Sequence, residues 1–222
     1  PKTSRLYIME IETLFTDQKW NILRFLSKKD YSPLELADLT KTSRANISQQ
    51  LRLLDAADLV KKNKVSNRDK GKPRAIYSLT SKFAYLVVVT NKFAEKRLIS
   101  LNPAQEIQMR SWFLGDEYIQ YYISQACTHL EPFLDKIKLL MWEGSDTPSL
   151  IVVGDNLKPQ LTKISPLTIK KSAKEQQSVR LRVLDESEFR KTTQQLRSFY
   201  VLYDPEGRIS GNENGEPKTK KV

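Results

Sequence analysis

Arg44, Asn46 and Gln49 stand within six residues of one another, with Ser43 before them, Ser48 between them and Arg52 after them. Arginine pairs with the O6 and N7 edge of guanine, and asparagine or glutamine with the N6 and N7 edge of adenine. The short hydroxyls of Ser43 and Ser48 suit contacts to phosphate. Further on, residues 61–74 hold seven basic side chains, Lys61, Lys62, Lys64, Arg68, Lys70, Lys72 and Arg74, against one acid, Asp69. Such a run suits a polyanionic backbone. Other chemistry is poorly supplied. One cysteine, Cys127, permits neither an intrachain disulfide nor a Cys-x-x-Cys knuckle, and one histidine, His129, is too few for a His-rich zinc site. No Walker loop, Gly-x-Gly-x-x-Gly or nucleophile elbow occurs. The expectation is therefore no catalytic residue, no metal and no cofactor.

Base-reading side chains need a rigid element beneath them. Ser43 has the position and chemistry of an N-cap, opening a helix over residues 43–58, running to about Leu59. Ile47, Leu51 and Leu54 fall on one stripe of it. At ~100° per residue, Ala45, Gln49 and Arg52 then point away from the core, with Asn46 and Ser48 on the flanks. The preceding helix announces itself by Ser32-Pro33-Leu34-Glu35, a capping box with proline at the first helical position. Leu34, Ala37 and Leu39 are its expected apolar set, with Leu36 nearby, and it ends near Thr40-Lys41. Before it, Leu6 to Phe15 reads as a short helix, and Thr16 caps another in which Ile22, Leu23 and Leu26 face inward. After the 43–58 helix, Leu59 to Val65 and Arg74 to Leu79 read as strands joined by a turn rich in Asn, Asp, Gly and Pro.

The chain has 222 residues and a net charge of +11. Residues 1–100 carry 20 Lys+Arg against 10 Asp+Glu, and residues 101–222 carry 17 against 16. The excess belongs to the first half, so two parts with different electrostatic tasks are expected. The domain reading is 1–101, 102–209 and a polar, disordered tail 210–222. The fold class is α+β: an N-terminal winged helix-turn-helix with a C-terminal α/β domain. The β-branched run Ala84 to Thr90 leans to strand, Lys92 to Ile99 reads as a short helix capped by Asn91, and Asn102-Pro103 as a linker. Beyond it, Ala104 to about Leu140 reads as two helices. Strands follow at Ser149–Asp155, Val179–Leu184 and Tyr200–Tyr203, with helices from Leu157 to Ile164 and opening at Asp185. No run approaches the ~18 apolar residues of a membrane helix, and the cysteine count fits a reducing, cytoplasmic setting.

The stretch Leu36-Ala37-Asp38-Leu39-Thr40-Lys41-Thr42-Ser43-Arg44-Ala45-Asn46-Ile47-Ser48-Gln49-Gln50-Leu51-Arg52, its exit Asp55-Ala56-Ala57-Asp58-Leu59-Val60 and the segment Lys70-Gly71-Lys72-Pro73-Arg74-Ala75-Ile76-Tyr77 resemble ArsR-type transcription regulators, especially archaeal ones. The resemblance covers roughly residues 8–90, and Asp58 stands where those proteins commonly have glycine. It implies a regulator that binds double-stranded DNA. Ser43, Arg44, Asn46, Ser48, Gln49 and Arg52 would then read the major groove. Lys62, Lys64, Arg68, Lys70, Lys72 and Arg74 would grip backbone from the wing. The metal-binding cysteine pair of some relatives would fall within Leu34 to Leu39, where there is neither cysteine nor histidine. A homodimer is expected, paired through Leu6 to Phe15, Tyr85 to Val89, or both, and a small-molecule effector is a natural second partner. The second half faintly resembles small nucleotidyltransferase domains through Gly144-Ser145, but no Asp-x-Asp pair follows, and Asp146 and Asp155 lie nine residues apart. The rival readings are an enzyme of that class fused to a DNA-binding module, and an RNA-binding or replication-associated winged helix.

Overall fold

The computed structural model describes residues 13–65, 74–143, 149–193 and 199–209. The chain falls into two units, residues 1–100 and 101–222. The expected helix from Leu6 lies mostly outside the described residues, as do the wing turn, the Gly144-Ser145 loop and the tail from residue 210.

The first unit starts with α1 (Asp17–Leu26), α2 (Pro33–Thr40) and α3 (Arg44–Ala56). Thr16 sits at the N-cap of α1 without a side-chain cap hydrogen bond. Ser32 makes the full capping box with Glu35, which fixes where α2 begins. Lys41, at φ 53, turns the chain in the left-handed region, and Ser43 starts α3 by accepting the Asn46 N–H at 3.2 Å. Ile22, Leu23, Leu26, Leu36, Ile47, Leu51 and Leu54 form one core with Leu59, Val60 and Tyr77. In α2 the buried pair is Leu36 and Ala37, while Leu34 and Leu39 stay exposed. The inward stripe of this short helix is thus rotated from the expected one.

Helix α3 ends at Ala56, short of the expected 58 or 59. The cause is local. The Leu59 N–H reaches the Leu54 carbonyl and the Asp58 N–H the Asp55 carbonyl, both near 3 Å, and Asp58 takes φ 57. This is a Schellman stop, whose left-handed residue is most often glycine. The chain leaves it as β1 (Val60–Val65), which pairs antiparallel with β2 (Arg74–Leu79) from Val60↔Leu79 to Val65↔Arg74. An isolated bridge from Tyr31 to Tyr77 adds a third segment to the wing.

A second hairpin follows. The lean towards strand at 84–90 holds, as β3 (Phe83–Thr90). The helix expected over Lys92 to Ile99 is instead β4 (Phe93–Ser100), paired with β3 along its whole length from Phe83↔Ser100 to Thr90↔Phe93. Asn91 and Lys92 make the turn, Lys92 at φ 68. Strand pairing overrides the helix propensity of Ala94, Glu95 and Lys96.

In the second unit, Asn102-Pro103 is a helix start rather than a linker: Asn102 makes a capping box with Gln105 and opens α4 (Pro103–Trp112). Helix α5 (Glu117–Thr128) follows, with Asp116 as its N-cap. The helical reading fails beyond it, since residues 137–143 form β5 (Ile137–Glu143). Then come β6 (Ser149–Gly154), α6 (Lys158–Ile164), β7 (Leu167–Lys170), β8 (Gln176–Leu184), α7 (Glu186–Thr193) and β9 (Phe199–Tyr203). Strand β7 lies at the sheet's edge and carries Lys170 exposed. The sheet order is β7-β8-β6-β5-β9. Among the described strands, β6 and β8 pair parallel and the other neighbours antiparallel. Leu150 and Val152 pack with α5 residues Tyr122, Ile123 and Ala126 on one face, while Ile151 and Val153 pack with Leu139 and Met141 on the other. A sheet covered on both faces explains why all six residues of β6 are buried.

Candidate nucleic-acid interface

Helix α3 is held from inside and free outside. Ile47, Leu51 and Leu54 are at most 2% exposed, each burying apolar surface worth roughly 1.5–3 kcal/mol. Ser43, Arg44, Ala45, Gln49 and Arg52 are exposed, and Asn46 and Ser48 half-buried. The N-terminal turn therefore presents Arg44 beside the backbone N–H groups of the helix start, of which Ser43 Oγ takes that of Asn46, and a helix N-terminus favours an anion. One turn further on, Gln49 and Arg52 continue the same outward side.

Asn46 differs from its neighbours. Its Nδ2 donates to Thr42 Oγ1 at 3.1 Å and to Gln18 Oε1 at 3.4 Å. Its Oδ1 accepts from Gln50 Nε2 at 3.0 Å. An amide so engaged ties the start of α3 to the turn before it and to the start of α1. Sequence reasoning passed over Gln18, Thr42 and Gln50. The spacing of 42, 46 and 50 was a signal, because residues four apart on a helix are neighbours.

In the wing, residues opposite one another across the ladder share a face. Lys62 stands opposite Tyr77 and Lys64 opposite Ala75, whereas Lys61 stands opposite Ser78. Lys62 and Lys64 therefore share one face of the hairpin, and Lys61 takes the other. All three are exposed. Asn63 is fixed by donating to Ser78 Oγ at 3.1 Å. Arg68, Lys70, Lys72 and the side chain of Arg74 lie outside the described residues. Among the described residues, no ion pair engages Arg44, Arg52, Lys61, Lys62 or Lys64.

The second unit gathers charge differently. At the end where β6 and β8 finish, Lys138 Nζ lies 2.5 Å from Asp155 and 3.6 Å from Glu186. The hydrogen bond to Asp155 is the main cause of an ammonium pKa raised above its ordinary value. Arg208 bridges Glu186 and Glu206. A cleft of about 680 Å³, lined by Pro103, Leu134, Lys138, Asp155, Tyr203 and Glu206 among others, opens there, within the size range of small-ligand sites. Glu143 pairs with Ser149 at one end of the β5–β6 ladder and Ile137 with Gly154 at the other, so Asp155 follows the second end. Six residues at ~3.3 Å each separate the start of β6 from Asp155 by roughly 20 Å. Asp146 and the Gly144-Ser145 pair lie outside the described residues. Cys127 is buried, and burial pushes its thiol up to about 12; His129, the residue after α5, is exposed. Among the described residues, no cluster of three or more His, Cys, Asp or Glu side chains is placed to hold a metal ion. No described helix is long and apolar enough to cross a membrane.

Among curated proteins, none matches the chain. Residues 16–62 match the family model described as bacterial regulatory protein, arsR family. The matched segment runs from the cap of α1 through all three helices into β1, and so contains every candidate base-reading residue. Residues 16–62 thus match a helix-turn-helix domain of the arsR family, joined to a sheet-rich second unit, and this match supports a DNA-binding transcription regulator in general.

Proposed function

We propose that the chain regulates transcription by binding double-stranded DNA in a sequence-specific manner, as a homodimer on an inverted repeat. Helix α3 enters the major groove, ~12 Å wide, from its N-terminal end. Arg44 and Gln49 read base edges, and Arg52 and the hydroxyls of Ser43 and Ser48 meet phosphate. Asn46 holds the helix start in place and contributes to recognition through that position. Lys62 and Lys64, with Arg68, Lys70, Lys72 and Arg74, grip the flanking backbone. The observation that carries this reading is the coincidence, inside the matched domain, of a capped helix with the exposed side chains of Arg44, Gln49 and Arg52. The second unit serves effector sensing, its cleft being the place for a small molecule. Gel shifts of the full chain on duplex DNA and on RNA of the same sequence test the reading. Preference for the duplex, strengthened on a selected site, is expected; equal or better binding to RNA overturns it.

A further inference from the structure

The β3–β4 hairpin is a two-stranded sheet of its own, hydrogen-bonded to no other strand among the described residues. An isolated pair of strands is marginal in water and gains stability from a third strand or a packed face. Only the base of this hairpin has such a face: Phe83, Tyr85 and Leu98 pack against the helical core, with the Tyr85 ring stacked on Phe15 at 5.0 Å. Beyond that base the strands project. Val87 is 58% exposed, Val88 42%, Val89 75% and Phe93 51%. The apolar groups lie on both sides of the sheet, since Val87 and Val89 alternate with Val88 along the strand.

The two edges of the hairpin are unlike. Strand β4 carries Glu95, Lys96 and Arg97, and Arg97 pairs with Glu95. Charges of this kind are how natural sheets protect an edge from further pairing. Strand β3, Phe-Ala-Tyr-Leu-Val-Val-Val-Thr, has no charge and no proline. Among the described residues, no strand pairs with its outer row of N–H and C=O groups, along about 26 Å of strand. One partner suits such an edge without any new sequence: the same edge on a second copy, related by a two-fold axis, because antiparallel pairing of a strand with itself is symmetric. The two charged β4 edges then lie outermost, where they end the sheet.

We propose that β3 pairs antiparallel with β3 of a second copy of this chain, making a four-stranded sheet in the order β4-β3-β3-β4 across a two-fold axis. This rests on the homodimer of the proposed function and names the surface that makes it.

The test places single cysteines in the full chain at Leu86, Val87, Val88 or Val89, and separately at Glu95 or Lys96, and oxidises each protein mildly. Native Cys127 is buried and serves as the background. Disulfide-linked dimers are expected from one or two of the β3 positions and not from β4. Light scattering over a concentration series is expected to give twice 25.7 kDa for the parent protein. Val87→Lys with Val89→Lys, both at exposed sites, is expected to give a monomer that keeps the parent's circular-dichroism spectrum and melts at a lower temperature that no longer depends on protein concentration. Cross-links confined to β4, a dimer indifferent to the two lysines, or a monomer at every concentration each overturns the proposal. The monomer result includes the case in which residues 1–12 cover β3. Duplex binding measured on the same samples separates the two readings: a monomer that still shifts duplex DNA overturns this interface alone, and a cross-linked dimer that shifts none overturns the DNA reading alone.

Discussion

Two basic regions of this molecule use their charge in opposite ways. On α3 and β1 the cations stand exposed, and among the described residues no carboxylate pairs with them. At the end of β6 and β8, Lys138 and Arg208 are already shared among Asp155, Glu186 and Glu206, and Lys158 lies 2.5 Å from Glu188. A cation held by a carboxylate of its own chain offers little to an outside anion, whereas an unpaired one releases counterions when a phosphate arrives. Net charge alone, +11 for the whole chain, does not distinguish the two; pairing does.

The largest expected effect breaks the comparison at its charged end. Replacing Lys62, Lys64, Lys70 and Lys72 together by alanine weakens binding to any duplex. It also flattens the slope of log affinity against log salt by about 3–4, at ~0.9 per phosphate contact. Lys138→Ala with Lys158→Ala leaves that slope unchanged. A salt titration by fluorescence anisotropy reads both, and equal slopes for the two variants would erase the distinction.

Next come the base readers. Arg44→Ala or Gln49→Ala costs about 1–3 kcal/mol on the preferred site and much less on random duplex. Asn46→Ala separates reading from positioning. With its amide bonded to Thr42, Gln18 and Gln50, its loss lowers binding on preferred and random duplex alike and lowers the melting temperature, at about 0.5–1.5 kcal/mol per net hydrogen bond. A loss confined to the preferred site would make Asn46 a base reader after all.

The smallest effect concerns the exit from α3. Asp58 adopts φ 57, a conformation disfavoured for residues with a Cβ and tolerated by aspartate better than by most. Asp58→Gly relieves that strain but loosens the unfolded chain, so a gain below ~1 kcal/mol is expected in thermal melting, with binding unchanged.

Local chemistry was legible in the sequence where one short segment settles the outcome. Ser32-Pro33-Leu34-Glu35 contains both partners of its capping box, and Ile47, Leu51 and Leu54 carry their own period. The same pattern stood in Asn102-Pro103-Ala104-Gln105, yet Asn-Pro reads equally well as a break, and only the structure separates the two. Residues 93–100 misled because Asn91 resembles a cap and Ala94, Glu95 and Lys96 favour helix. What decides there is pairing with Phe83–Thr90, a non-local term. Residues 137–143 misled for a related reason: a short apolar run has no period to tell a covered strand from a buried helix. The outward placing of Arg44, Gln49 and Arg52 on α3 was legible from type and spacing, but the engagement of the Asn46 amide was not, because it depends on Gln18, 28 residues away.

The most direct test of the account is selection of bound sites by the full chain from a random duplex library, repeated with Arg44→Ala and Gln49→Ala. Base reading by α3 in a two-fold dimer gives an enriched inverted repeat, its half-sites about one helical turn apart, with preference for guanine relaxed by the first substitution and for adenine by the second. Enrichment of no motif, or of one that both substitutions leave intact, would contradict it.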